Sequence, residues 1–314
     1  MTTHINPQEI FLLERFSSAE YFGQLRDIWG EMIAQVEASL DRFMSNLPLD
    51  YRNRPLPEQP DAVWGERVLP NFRDTFQYLC DGYIRLTQGD IFGLDFCHGP
   101  LNDFKGQHDF WAGWMDPAEQ DKYHQLLMTA VEMATNIRAT KDALWEPTDL
   151  GSDYMPEVRG PLVQPTQWPA YQINSKIYVA SGSMPPISGV YVPSVSSSCA
   201  EFLSKDFGPA PEAKVLLGKT VPEDAEEEIR NIIETRPCDW FLIKRIAAVS
   251  TTARPSLIDS QSYRIPAGSP CPEAGYYFTP AKENSRRYFN HNEIMPAFDS
   301  EYGLIIWQFD INQS

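Results

Sequence analysis

The chain lacks most short signatures of a familiar chemistry. It contains no G-x-S-x-G elbow, no G-x-x-x-x-G-K-[ST] loop and no G-x-G-x-x-G in a strand–turn–helix setting. Nucleotide, dinucleotide and α/β-hydrolase readings therefore lose their usual support. Cysteine is sparse: the five residues Cys80, Cys97, Cys199, Cys238 and Cys271 are odd in number and far apart, without a C-x-x-C pair. Free, mostly buried thiols in a reducing compartment are expected, not a disulfide framework or a zinc site. No apolar run approaches the ~20 residues of a membrane span, and the residues after Met1 form neither a basic nor an apolar leader. No signal peptide and a cytoplasmic location are expected. Positive charge is also scarce, with 26 Lys and Arg against 43 Asp and Glu, a formal charge of −17 and a pI near 4.7. Residues 1–150 carry −12 of this and the remainder −5. Such a field repels nucleic acid and anionic membrane and speeds association with a basic partner, although solubility alone also accounts for it.

With 314 residues, 42% hydrophobic and 12% aromatic, the chain is long enough for two domains with substantial cores. Residues 1–17 read as a lead-in with a helical turn over Ile10–Leu13. Ser18 then caps an amphipathic helix whose apolar stripe runs through Phe22, Leu25, Trp29, Met32, Ile33, Val36 and Phe43. A second helical run spans about Ala62 to Gln88, with a break expected at Pro70. A short helix is expected around Phe92–Phe96. Asp116-Pro117-Ala118-Glu119 is the strongest helix start, supplying an N-cap, Pro at the first helical position and Glu at the third. That helix is expected to run on to about Trp145. Three such helices predict an antiparallel bundle over residues 1–148.

The composition changes after Asp149, where seven prolines up to Ser198 exclude a long helix. Residues 149–188 read as a Pro/Gly-rich connection, with Ile177–Val179 and Val190–Val192 as short strands. Ser197–Leu203 is expected to make one or two helical turns, Val215–Leu217 a strand, Glu223–Glu234 a short helix and Asp239–Val249 a core strand. From Asp259 to Gln308, aromatic runs alternate with Gly, Pro, Asn and Ser. Tyr276–Thr279, Arg286–Phe289 and Leu304–Phe309 have strand length and composition. The fold class is therefore α+β: an N-terminal antiparallel helical bundle followed by an α+β domain, residues 189–314, with a small antiparallel sheet.

Candidate chemistry is thin. His98 and His108 lie among Asp95, Asp103 and Asp109, but their spacing matches no metal motif, and neither metal nor cofactor is expected. Cys199, in Ser196-Ser197-Ser198-Cys199-Ala200, would have a lowered thiol pKa if it opened a helix, yet no base partner is marked in the sequence. A buried structural thiol is the plainer reading. Carboxylate pairs of glycosidase type are not local in sequence and stay open. The sharpest charge feature is Glu223, Asp224, Glu226, Glu227 and Glu228. It reads either as a solvated helix start or as a mimic of nucleic-acid phosphates entering a basic cleft.

Several stretches together resemble a bacterial immunity-protein family. They are Ala267–Ala281, Ser285–Phe289, Glu293–Pro296, and Tyr302-Gly303 with Ile306–Asp310, joined by Gly189–Ser194 and Ser198-Cys199-Ala200. The likeness covers roughly residues 189–310. It implies a non-catalytic cytosolic protein that binds and neutralises a cognate polymorphic toxin, often one delivered by type VI secretion, and points to a nuclease as target. The alternatives are a hydrolase using dispersed carboxylates or Cys199, and an adaptor that loads a toxin for export.

Overall fold

The computed structural model describes residues 5–107, 110–220, 230–246, 264–279, 285–297 and 305–310. Its contacts divide the chain into two compact units, Met1–Ala248 and Val249–Ser314. The class is α+β, helices first and antiparallel sheets after them.

The first unit begins with α1 (Pro7–Phe16), longer than the expected helical turn and started by Asn6, whose side chain accepts from the Gln8 N–H. Helix α2 (Ala19–Ser45) starts where Ser18 accepts from the Tyr21 N–H, and its stripe from Phe22 to Val36 is buried. A π-helix over Asp61–Val68 passes directly into α3 (Leu69–Thr87). The change of winding falls beside Pro70, which has no N–H to donate to the preceding turn. A 3₁₀ stretch over Ile91–Cys97 leads into α4 (His98–Gln107). It lies so close to α3 that a Cβ on Gly82 would stand 2.9 Å from the Gly93 carbonyl oxygen. Helix α5 (Pro117–Lys141) opens with the expected capping box and ends four residues short of Trp145. Arg42, at the end of α2, bonds both Glu119 and Asp116, fastening the two helix ends together. That guanidinium holds the Glu119 carboxyl below the usual range.

The Pro-rich segment carries a short helical turn, α6 (Pro156–Arg159), and then β1 (Ala170–Ala180), an eleven-residue strand. It is followed by β2 (Gly189–Pro193), β3 (Glu201–Leu203), β4 (Ala213–Lys219), β5 (Asn231–Arg236) and β6 (Asp239–Ile246). Strands β1, β6, β2 and β3 form one antiparallel sheet in that order, and β4 with β5 forms a separate two-stranded ribbon. Two local expectations are corrected. Ser197–Leu203 contains no helical turn, because residues 201–203 pair with β2 in the register Tyr191↔Glu201 and Gly189↔Leu203. The segment 231–234 is strand, because Asn231–Arg236 pairs with β4. In both, pairing across the fold outweighs the local pattern.

The first sheet is buried on both faces by strict alternation. Val190, Val192, Phe202 and Ile243 face the helices and share a core with Phe22, Trp29, Phe72 and Trp145. Tyr191, Leu203, Trp240 and Leu242 face the other way, into a smaller cluster with Val179, Ala210 and Ala213. This sharing places the division of the chain at 248/249 and not within residues 149–188. The strands after 189 complete the core that the helices begin.

The second unit holds β7 (Arg264–Pro266), β8 (Gly275–Phe278), β9 (Arg287–Phe289) and β10 (Ile306–Phe309), in the order β7-β10-β8-β9. Tyr277, Phe289 and Trp307 meet edge to face around buried Cys271 and Met295. Trp307 Nε1 donates to the Pro296 carbonyl at 3.0 Å. Arg286 pairs with Asp310 and Arg287 with Glu293, so both arginines have carboxylate partners.

Trp29 is fully buried, stacks edge-on against Phe72 and donates Nε1 to the Phe72 carbonyl at 3.0 Å. Trp29→Ala is expected to lower the unfolding free energy of the first unit by about 3–5 kcal/mol. Ser18→Ala is expected to cost about 1 kcal/mol. Denaturant titration followed by circular dichroism measures both, and equal losses would contradict the assigned roles.

Candidate functional site

A cleft of about 440 Å³ opens where α1, the turn after α5, the β2–β3 connection and β4 converge. Its lining includes the partly exposed Val195 and Leu216 and, among polar residues, Thr148 and Ser196–Ser198. Among the described residues, the one charged residue lining it is Glu9. Asn6-Pro7-Gln8-Glu9 repeats the N-cap, Pro and Glu pattern of residues 116–119. In α5 the glutamate turns back to its own cap, where Glu119 Oε2 accepts from the Asp116 N–H at 3.1 Å. In α1 the Glu9 carboxylate instead accepts the backbone N–H of Ala200, 191 residues away. Burial raises the Glu9 carboxyl to about 7, and the Ala200 N–H opposes that rise.

Beyond Ala200 the charges are compensated internally. Glu201 is buried in β3, and burial pushes its carboxyl well up, against the pull of Lys214. Lys214 Nζ donates to the carbonyls of Ala143 at 2.9 Å and Trp145 at 2.7 Å and lies 3.4 Å from Glu201 Oε1. The Cys199 thiol donates to the same Trp145 carbonyl at 3.4 Å, and burial holds it well above the ordinary thiol value. A thiol kept protonated and enclosed is a packing group, not an activated nucleophile.

Beside the cleft stands the β4–β5 ribbon. Strand β4 is anchored: Ala213 and Val215 are buried, Val215 bridges to Ser198, and the Leu216 N–H donates to the Ser197 carbonyl at 2.7 Å. Strand β5 lies outward, with Ile232 46% exposed. The register slips between Leu216 and Gly218, so Leu217 sits in a bulge and is 56% exposed. The ribbon's cations have partners: Lys219 bonds Asp153 and Arg236 bonds Glu234. Thr220 and Arg230 close its far end, where the Thr220 N–H donates to the Arg230 carbonyl at 2.8 Å.

Glu223, Asp224, Glu226, Glu227 and Glu228, the acidic run, lie outside the described residues, as do His108, Asp109 and His4. His98 is solvent-exposed and 3.6 Å from Asp95, while Asp103 accepts from Asn71 and Thr75 in the helical core. Among the described residues, no group of three or more His, Cys, Asp or Glu could hold a metal ion, and no helix is long and apolar enough to cross a membrane. His291 contacts the Pro272 carbonyl in its turn. No family model, curated protein or solved structure matches the chain.

Because the Glu9 carboxyl holds its proton more tightly in the fold than its ordinary value of 4.5, the native state binds more protons than the unfolded chain between about pH 4.5 and pH 7. Stability contributed by this group therefore falls as pH rises through that window. Glu9→Gln removes the dependence, so the melting temperature of the variant relative to the parent is expected to climb from about pH 5 to about pH 8. A difference that stays constant with pH would exclude Glu9 as the titrating group.

Proposed function

We propose that the protein is an immunity protein that binds and neutralises a toxin, and that the β4–β5 ribbon enters the toxin's active site or substrate groove. The observation that carries this reading is the division of labour within the ribbon. One strand is fastened to the core by Lys214, Val215 and Leu216, while the other offers Ile232 outward beside the bulged Leu217. A rigid base and exposed apolar side chains are what a binding element needs, since ordering on association then costs little.

The connection between these strands carries Glu223, Asp224, Glu226, Glu227 and Glu228, five carboxylates within six residues. A concentrated negative segment suits a groove built for nucleic-acid phosphates, and a nuclease is the toxin that supplies one. The whole-chain charge of −17 assists the approach. The likeness of residues 189–310 to immunity proteins of polymorphic-toxin systems agrees with this assignment.

Expression of the neighbouring gene's product in a heterologous host, alone and with this protein, tests the proposal. Rescue of growth and co-purification of the pair are expected, and growth arrest with no complex would refute it. In a purified complex, Leu217→Asp together with Ile232→Asp is expected to weaken affinity by about tenfold or more with an unchanged melting temperature. Charge neutralisation at Glu223, Asp224, Glu226, Glu227 and Glu228 is expected to slow association chiefly at low salt. An association rate that ignores both salt and these substitutions would remove the phosphate-mimic part of the reading.

A further inference from the structure

We infer that the cleft beside α1 recognises an organic cation with an apolar stem, its guanidinium or ammonium group on the Glu9 carboxylate and its stem against Val195 and Leu216. The cleft's volume of about 440 Å³ lies within the ~300–1,000 Å³ range of small-ligand sites. Its composition selects the ligand's sign. Among the described residues Glu9 is the one charged group in the lining, so an anion meets repulsion there. The rest mixes hydroxyl-bearing side chains with the partly exposed aliphatic side chains of Val195 and Leu216, which suits a cation carried on a hydrocarbon stem.

Two further features converge on the same cleft. Thr148 and Ser197, both in its lining, have φ values of 83° and 58°, a left-handed conformation that residues other than glycine seldom adopt. Backbone held this way concentrates at ligand sites, where surrounding contacts enforce it. Ser198 is in the lining as well, and its Oγ is buried with no hydrogen-bond partner among the described residues.

The groups around Glu9 leave its carboxylate available to a cation. The Ala200 N–H occupies one face. Cys199 and Glu201 flank Ala200, and burial pushes both groups up. Lys214 is committed to the carbonyls of Ala143 and Trp145 and to Glu201, and Asp149 adds negative potential at Cys199 and Glu201. The inference does not require that the protein's partner be a toxin. An arginine or lysine side chain of a peptide and a free alkylamine present the same chemistry.

Calorimetric titration of the full chain distinguishes these sources. N-acetyl-arginine methylamide represents the peptide side chain, agmatine the free cation, and N-acetyl-norleucine methylamide a neutral control of similar shape. Saturable binding of a cationic probe is expected, with none of the control. Tighter binding of the arginine amide would assign a peptide, and tighter binding of agmatine a free amine. Glu9→Gln is expected to weaken the favoured cation by about tenfold, the usual size of one charge-assisted hydrogen bond. Because the guanidinium keeps its charge while Glu9 ionises near pH 7, affinity of the parent protein is expected to rise roughly tenfold from about pH 6 to about pH 8. That profile stands as the test if the variant does not fold. Absence of saturable cation binding would overturn the inference, as would affinity indifferent to both Glu9→Gln and pH.

Discussion

The first unit depends on one constraint: a four-stranded sheet whose faces are both apolar must be covered on both. Val190, Val192 and Ile243 need the helices, while Tyr191, Trp240 and Leu242 need the smaller cluster behind. Neither face is buried unless strands from residues 170 to 246 assemble around helices from residues 7 to 141. Burial at roughly 25 cal/mol per Å² of apolar surface makes that requirement strong, because each face carries several large side chains. The helices and this sheet thus form one cooperative body, and the Pro-rich stretch between them is drawn into it as β1.

Covering the sheet creates a second problem. Helix α1 brings Glu9, β3 brings Glu201 and β4 brings Lys214 into one desolvated region. Buried charge is tolerable only when paired or neutralised, and each group here follows a different route. Lys214 bonds two carbonyls that the chain leaves open after α5. Complete burial pushes the Glu201 carboxyl well up, against the pull of Lys214. Glu9 stands between these extremes, held by one backbone N–H and open to a cleft, with its carboxyl at about 7. A group poised between two protonation states responds to whatever enters the cleft, as a fully neutralised acid would not.

The helical half was largely legible because its signals are local. Ser18 and the residues 116–119 mark starts that the backbone uses as written, and Pro70 marks the change from π to α winding. The second unit's aromatic runs were equally plain, since each strand sits between its own turn residues. Ser197–Leu203 and 231–234 misled for a common reason. Their apolar residues also suit a helix, and their partners, β2 and β4, lie elsewhere in the chain. The cleft was invisible in sequence because its lining extends from Asn6 to Leu216. One clue was present in Asn6-Pro7-Gln8-Glu9, the same helix-start pattern as residues 116–119. Nothing local says that Glu119 serves its own helix while Glu9 serves a strand 191 residues away.

The ribbon brings together opposite demands on a strand edge. An exposed edge invites pairing with any other chain, and proteins commonly guard such edges with charge and with bulges. Strand β5 carries Glu234 and Arg236, paired with each other, and its partner β4 breaks register at Leu217. Both devices disfavour indiscriminate strand addition. The same bulge turns Leu217 outward near Ile232, so the ribbon presents a small apolar pair. Recognition through such a pair depends on a complementary pocket, which few surfaces provide, whereas pairing through an open edge requires only another strand. The irregularity in β4 thus lowers the risk of self-association while leaving a specific contact available. The anchoring of β4 through Lys214 and Val215 keeps that contact in a fixed position.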